Sequence, residues 1–188
     1  MRHVFSVAVA LMTLAAGAAA QKAPNPVVVV ETNVGSFTLE LFRSEAPKTV
    51  ENFLSYVQSG FYAGTIFHRG VRGFMIQGGG LTPQMRLKPT RPPIRNEASA
   101  LVKNERGTIA AARERGVDSA TAQFFINTSQ NVSLDHKSLR PDEAGYAVFG
   151  RVVAGMDVVD AIERVKTNGK DVPQSLIMIM RVYQKDPH

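Results

Sequence analysis

Arg69, Met75 and Gln77 fall in one glycine-punctuated stretch, Phe67-His68-Arg69-Gly70-Val71-Arg72-Gly73-Phe74-Met75-Ile76-Gln77-Gly78-Gly79. It reads as two short strands folded over a tight turn, with Gly70 and Gly73 bracketing that turn. Alternate strand residues share a face, so Met75 and Gln77 point one way, and the turn brings Arg69 back toward the same hollow. At Gly78, Gly79 and Gly80 the chain bends sharply or something approaches its backbone. Farther along, Gln123-Phe124-Phe125-Ile126 alternates again, with Gln123 and Phe125 on one face. A fixed cation, an amide and several apolar groups, with no evident nucleophile, suit the binding of an apolar group beside a carbonyl.

Other chemistries fit less well. Ser129, Ser133, Asp135 and His136 lie close together, but without the strained elbow that presents a hydrolase nucleophile. Beyond residue 20 the histidines are His68, His136 and the terminal His188, too scattered for a metal site. The chain has no cysteine, so disulfides, zinc–thiolate sites and a cysteine nucleophile are excluded. From Leu81 to Arg115 there are eight basic and three acidic residues, a difference of +5. A solvated face is the simpler account of these charges, with weak steering of anionic partners as the functional one. Nucleic-acid binding would rest on charge alone, without interleaved aromatic residues.

The elements that must position these residues follow from length and pattern. The chain has 188 residues, 44% of them hydrophobic, enough for one domain with a real core. Arg2, an apolar run from Val4 to Ala16 and the small residues Ala18-Ala19-Ala20 read as a signal peptide over residues 1–20. The apolar run is short for a membrane span. Losing Arg2 with the signal lowers the formal charge from +6 to +5. Residues 21–26 are a short leader and 186–188 a tail. Val27 to Val30 is a β-branched strand. Ser36 to Phe42 alternates, with Phe37, Leu39 and Leu41 inward, after a turn at Asn33-Val34-Gly35. Pro47 to Ser59 is a helix with Val50, Phe53, Leu54 and Val57 on one stripe and Gly60 at its stop. Leu81 to Arg106 reads as a long surface excursion with four prolines and a short strand at Ile94-Arg95-Asn96. Thr108 to Ala112, Gln123 to Asn127, Tyr146 to Val153 and Leu176 to Tyr183 read as strands. Ser129 to Gly145 reads as loop, and Asp157 to Val165 as a second helix. Many short strands with two helices predict an all-β sandwich or barrel.

Phe67-His68-Arg69, Gly73-Phe74-Met75, Gln77-Gly78-Gly79 and Gln123-Phe124-Phe125-Ile126 together resemble the signature of the cyclophilin peptidyl-prolyl isomerases, closest to the bacterial periplasmic ones. The resemblance runs from Val27 to Lys185, one domain over residues 27–185. It implies a mainly β fold, an eight-stranded antiparallel barrel with a helix at each end. It implies isomerisation of Xaa-Pro bonds in exported, folding polypeptides, with no cofactor and with a periplasmic monomer as the acting form. Arg69 matches the family's catalytic arginine. Phe74, Met75, Phe125 and Leu134 match its proline socket, and Tyr146 sits where many members place histidine. Gln77 and Gln123 match amides that hold the peptide backbone and Arg69; Ala112 and Arg113 match the pair lining the peptide groove. Ser133 departs from the pattern, standing where many members carry tryptophan and bacterial ones often phenylalanine. Without that wall, cyclosporin binding is expected to be weak. The rival is a non-catalytic proline-binding module or holdase using the same groove.

Overall fold

Alternation in the sequence becomes alternation of burial in the first hairpin. The structure is a computed structural model, and it describes residues 24–185. The expected signal peptide, the leader as far as residue 23 and the tail from 186 lie outside the described residues. Strand β1 (Val27–Thr32) pairs antiparallel with β2 (Gly35–Leu41). Phe37, Leu39 and Leu41 are buried, while Thr38 and Glu40 are half-buried. Helix α1 (Pro47–Gln58) buries the expected stripe of Val50, Phe53, Leu54 and Val57, together with Thr49 and Tyr56. Its first turn has no local side-chain cap. Glu97, from the long excursion, does that work instead. Its carboxylate accepts from the backbone N–H of Lys48 at 3.0 Å and of Thr49 at 2.7 Å, and from the Thr49 hydroxyl at 2.8 Å. An anion at a helix N-terminus satisfies orphan donors and opposes the positive end of the helix dipole.

The remaining strands are β3 (Phe67–Val71), β4 (Met75–Gly78), β5 (Thr108–Ala111), β6 (Phe124–Asn127), β7 (Val148–Ala154) and β8 (Ile179–Gln184), with helix α2 (Met156–Glu163) between the last two. They form one eight-stranded sheet in the order β3-β4-β6-β5-β7-β2-β1-β8, every neighbouring pair antiparallel. The sheet curls into a half-barrel. Its two edges meet just outside β3 and β8, through a bridge between Ile66 and Met178. The Phe67 N–H donates to the Ile177 carbonyl at 2.9 Å and the Ile179 N–H to the Thr65 carbonyl at 2.8 Å. Eight antiparallel strands and two helices are the expected architecture, with closure by a short stitch rather than a full ladder.

Several boundaries differ from the sequence reading. Gly70 lies inside β3, opposite Ile76, and the turn is made over Arg72-Gly73-Phe74, with Gly73 at φ +69°. Ile94-Arg95-Asn96 makes no strand; Ile94 forms an isolated bridge with Ala120. The preceding Pro92 and Pro93 have no N–H with which to extend a ladder. The loop from Ser129 contains one 3₁₀ turn, Val132–Leu134. Helix α2 starts one residue earlier and ends two residues earlier than expected, and β8 starts at Ile179. Phe124 and Ile126 enter the main core, which also holds Phe53, Tyr62 and Phe67. Phe125 enters a second, smaller cluster with Met75, Ala110 and Val148. The two faces of β6 therefore serve two different purposes, one structural and one lining a hollow.

Candidate active site

Strand register builds the site. Arg69 pairs with Gln77 across β3 and β4, Gln77 with Phe125 across β4 and β6, and Phe125 with Ala110 across β6 and β5. Directly paired residues share a face of the sheet. Arg69, Gln77, Phe125 and Ala110 therefore form one row running across four strands. Met75, two residues before Gln77, lies on the same face. Its members Arg69, Gln77 and Phe125 floor a hollow of about 180 Å³ lined by Arg69, Phe74, Met75, Gln77, Ala112, Arg113, Phe125, Leu134 and Tyr146, with Ala110 buried beneath. Nine of the ten residues singled out from the sequence thus converge. The tenth, Gln123, lines an adjoining hollow of about 170 Å³ together with Gln77, Ala112 and Arg113. Its side-chain oxygen accepts from the Gln77 amide at 3.1 Å, so the two amides are joined. A larger depression beside α1 shares no residue with either hollow.

Close approach explains the glycines after Gln77. A Cβ on Gly79, at φ +81°, would meet the Phe124 ring at 2.6 Å, and one on Gly80 would overlap the Gln123 side chain. Bare backbone there lets Gln123 reach Gln77.

The apolar side of the hollow is held by polar groups beneath it. The Asn131 side chain donates to the Phe74 carbonyl at 2.8 Å and to Asn127 Oδ1 at 2.7 Å. Asn127 in turn donates to Asn104 and Thr108, and Asn104 donates to the Leu134 carbonyl at 3.0 Å and to Asp135. All four of these Asn and Asp residues are buried, yet each finds partners. This network anchors the chain on both sides of the socket, at Phe74 and at Leu134. Sequence reasoning missed it, since single polar residues at a strand end (Asn127) and in loops (Asn104, Asn131) carry no periodic signal. Tyr146 stands edge-on to Phe125, ring centres 5.5 Å apart at 81°. Arg113 lies over the Tyr146 ring at 4.7 Å and donates from Nε to the Gly145 carbonyl at 3.0 Å, so its guanidinium is part of the wall. Ser133 is exposed beside Leu134 and does not line the hollow.

Two titratable neighbours frame Arg69. His68 is largely buried, and burial pushes its pKa down to about 4; the Ile66 backbone opposes that shift and the Arg69 charge adds to it. His68 is therefore neutral near pH 7 and offers no acidic proton there. Asp171 lies 3.6 Å from Arg69 Nε, measured to Oδ2. Nothing in the local sequence pattern pointed to this carboxylate. Among the described residues no three metal-ligating side chains cluster.

Residues 27–184 match the family described as cyclophilin type peptidyl-prolyl cis-trans isomerase/CLD. Peptidyl-prolyl cis-trans isomerase cyp18 of Streptomyces antibioticus is 54% identical over 156 residues, covering 81% of this chain and 94% of the relative. The chain belongs to the cyclophilin-type peptidyl-prolyl cis-trans isomerases. Within this enzyme family it is also similar to peptidyl-prolyl cis-trans isomerase B of Escherichia coli (strain K12), 48% identical over 159 residues, with 82% of this chain and 97% of the relative covered. Among solved structures, a cyclophilin type isomerase of Cryptosporidium parvum superposes with a TM-score of 0.73 at 27% identity, covering 87% of this chain and 99% of the other. A second structure of that protein, at a TM-score of 0.72, was determined in the presence of the dipeptide Ala-Pro. The cyclophilin half-barrel thus presents, in this chain, an arginine and an amide beside an apolar socket.

Proposed function

We propose that the protein accelerates Xaa-Pro isomerisation during the folding of exported polypeptides, with Arg69 as the catalytic donor. The cross-strand row of Arg69, Gln77 and Phe125 carries this reading: it sets a cation and an amide against a hollow of about 180 Å³ whose other side is apolar. Rotation about a peptide bond costs roughly 18–20 kcal/mol, because resonance makes the C–N bond partly double. Before proline both isomers are populated, and they exchange over tens of seconds or more. No bond is broken, so the catalyst need only bind the twisted imide more tightly than either planar form. In the twisted state the proline nitrogen loses conjugation and gains a lone pair. A guanidinium directed at that lone pair stabilises the twisted state selectively. Phe74, Met75, Phe125, Leu134 and Tyr146 grip the ring, so that the remainder of the chain rotates about it. Gln77, Gln123, Ala112 and Arg113 hold the peptide backbone alongside. Proline-containing unfolded chains are the partners and a monomer is the working form.

Export is supported by Arg2, the apolar run from Val4 to Ala16 and Ala18-Ala19-Ala20, which together direct the mature chain to the periplasm. Two measurements test the reading. Exchange spectroscopy on an Ala-Pro peptide should show faster isomer exchange with the purified protein; tight binding without faster exchange would make it a proline-binding module. The mass of protein from the envelope fraction should correspond to Gln21, or its cyclised form, at the N-terminus. Cytoplasmic protein retaining Met1 would reject export.

Ser133 sets the expected drug response. An aromatic wall contributes on the order of 1 kcal/mol by stacking, and a serine hydroxyl contributes none of it. Cyclosporin should inhibit weakly, and Ser133→Trp should tighten inhibition about fivefold or more. Nanomolar inhibition of the unmodified protein would show that the rim is complete without an aromatic at this position.

A further inference from the structure

The hairpin loop of residues 166–174 reaches the outer edge of β3 at Gly70, and it is internally well bonded. Thr167 and Pro173 form an isolated bridge, and the Asn168 N–H donates to the Val172 carbonyl at 2.9 Å. The Asn168 side-chain oxygen accepts from the N–H groups of Lys170 at 2.9 Å and Val172 at 3.1 Å. At its tip Asp171 sits at φ +60°, in the left-handed region. Its carbonyl accepts from the Gly70 N–H at 2.9 Å. One residue therefore touches β3 twice: its backbone fixes the loop to Gly70, and its carboxylate meets Nε of the adjacent Arg69 at 3.6 Å.

We propose that Asp171 is a positioning residue for Arg69. This rests on the catalytic reading of Arg69 given above. Both side chains are nearly half exposed, so the pair adds little to the stability of the fold. Its effect is on geometry. Arginine is a long side chain with several free torsions, and the entropy of ordering it must be met somewhere. The carboxylate faces Nε, the nitrogen nearest the chain, at ion-pair rather than hydrogen-bond distance, and leaves the fork of terminal nitrogens for a substrate. Misplacing a catalytic group by a small distance costs rate without a matching loss of binding.

Asn and Gly both tolerate positive φ, so Asp171→Asn and Asp171→Gly keep the loop conformation while removing the charge or the whole side chain. Each should lower kcat for an Ala-Pro peptide about five- to tenfold, with KM changed less than twofold. In an Arg69→Ala background neither should slow the residual rate further, whereas damage to the fold would. A direct readout is the Arg69 Nε–Hε group by NMR. Its order parameter should be high in the unmodified protein and fall in both variants. Unchanged Nε–Hε order in both variants would overturn the inference. That measurement stands apart from turnover: full activity in Arg69→Ala would refute the catalytic reading, and the Nε–Hε order would still decide whether Asp171 holds the guanidinium.

Discussion

Arg69→Ala is expected to lower catalysed Xaa-Pro isomerisation at least about a hundredfold, or roughly 2.7 kcal/mol of transition-state preference. Arg69 is the charged member of the row that floors the hollow, paired with Gln77 and within 3.6 Å of Asp171. The loss should fall mainly on kcat, because the donor acts on a lone pair that exists only in the twisted state. Arg69→Lys should recover only part of the rate: an ammonium is a point charge and lacks the planar fork of donors. The fold should survive, since the side chain is partly exposed and belongs to neither apolar cluster. Exchange spectroscopy on an Ala-Pro peptide gives the rate, and circular dichroism checks folding. A well-folded Arg69→Ala protein of near-full activity would sink the mechanism.

Phe124→Ala and Phe125→Ala, one residue apart, should fail in opposite ways. Phe124 is buried in the main core, with Phe53, Tyr62 and Phe67 edge-on to it at 5.8, 5.6 and 5.9 Å. Gly79 has no Cβ so that this ring can fit. Removing the ring leaves a sealed cavity in a close-packed interior, and Phe→Ala at such sites costs about 3–5 kcal/mol. That corresponds to a fall in Tm on the order of 10 °C. Activity per folded molecule should change little. Phe125 instead floors the hollow and stands edge-on to Tyr146. Its removal enlarges a space already open to solvent, so it should destabilise less than Phe124→Ala. It should lower kcat/KM about tenfold or more, chiefly through KM, because the socket no longer fits a proline ring. Thermal melts and kinetics on both variants decide the matter. If Phe124→Ala were the slower enzyme and Phe125→Ala the less stable fold, the two faces of β6 would have been assigned the wrong way round.

The separation of those two faces was legible in the sequence, because a strand alternates faces with period two, which sets Gln123 and Phe125 on one side and Phe124 and Ile126 on the other; that Phe125 lines the socket came from the family resemblance. The same logic placed Phe37, Leu39 and Leu41 inward, and the helical stripe of Val50, Phe53, Leu54 and Val57 placed α1. Local pattern also put Met75 and Gln77 on one face with Arg69 returning to them. The socket assignments of Phe74, Met75, Phe125, Leu134 and Tyr146 came from family resemblance, since alternation does not say which face meets a ligand and no periodicity links a turn, a 3₁₀ segment and a loop. Other features were decided by the tertiary structure alone. Glu97 caps α1 from a proline-rich excursion, Asn104, Asn127 and Asn131 brace the socket from below, and Asp171 reaches Arg69 from a loop far along the chain. Each of these depends on which strand edges come together when the sheet curls. A hydrogen bond or ion pair between distant loops leaves no repeating trace in the sequence, because one polar residue at the right place is enough. Hydrophobic periodicity, by contrast, must recur along an element to bury a whole face, and that recurrence is what made the strands and helices readable.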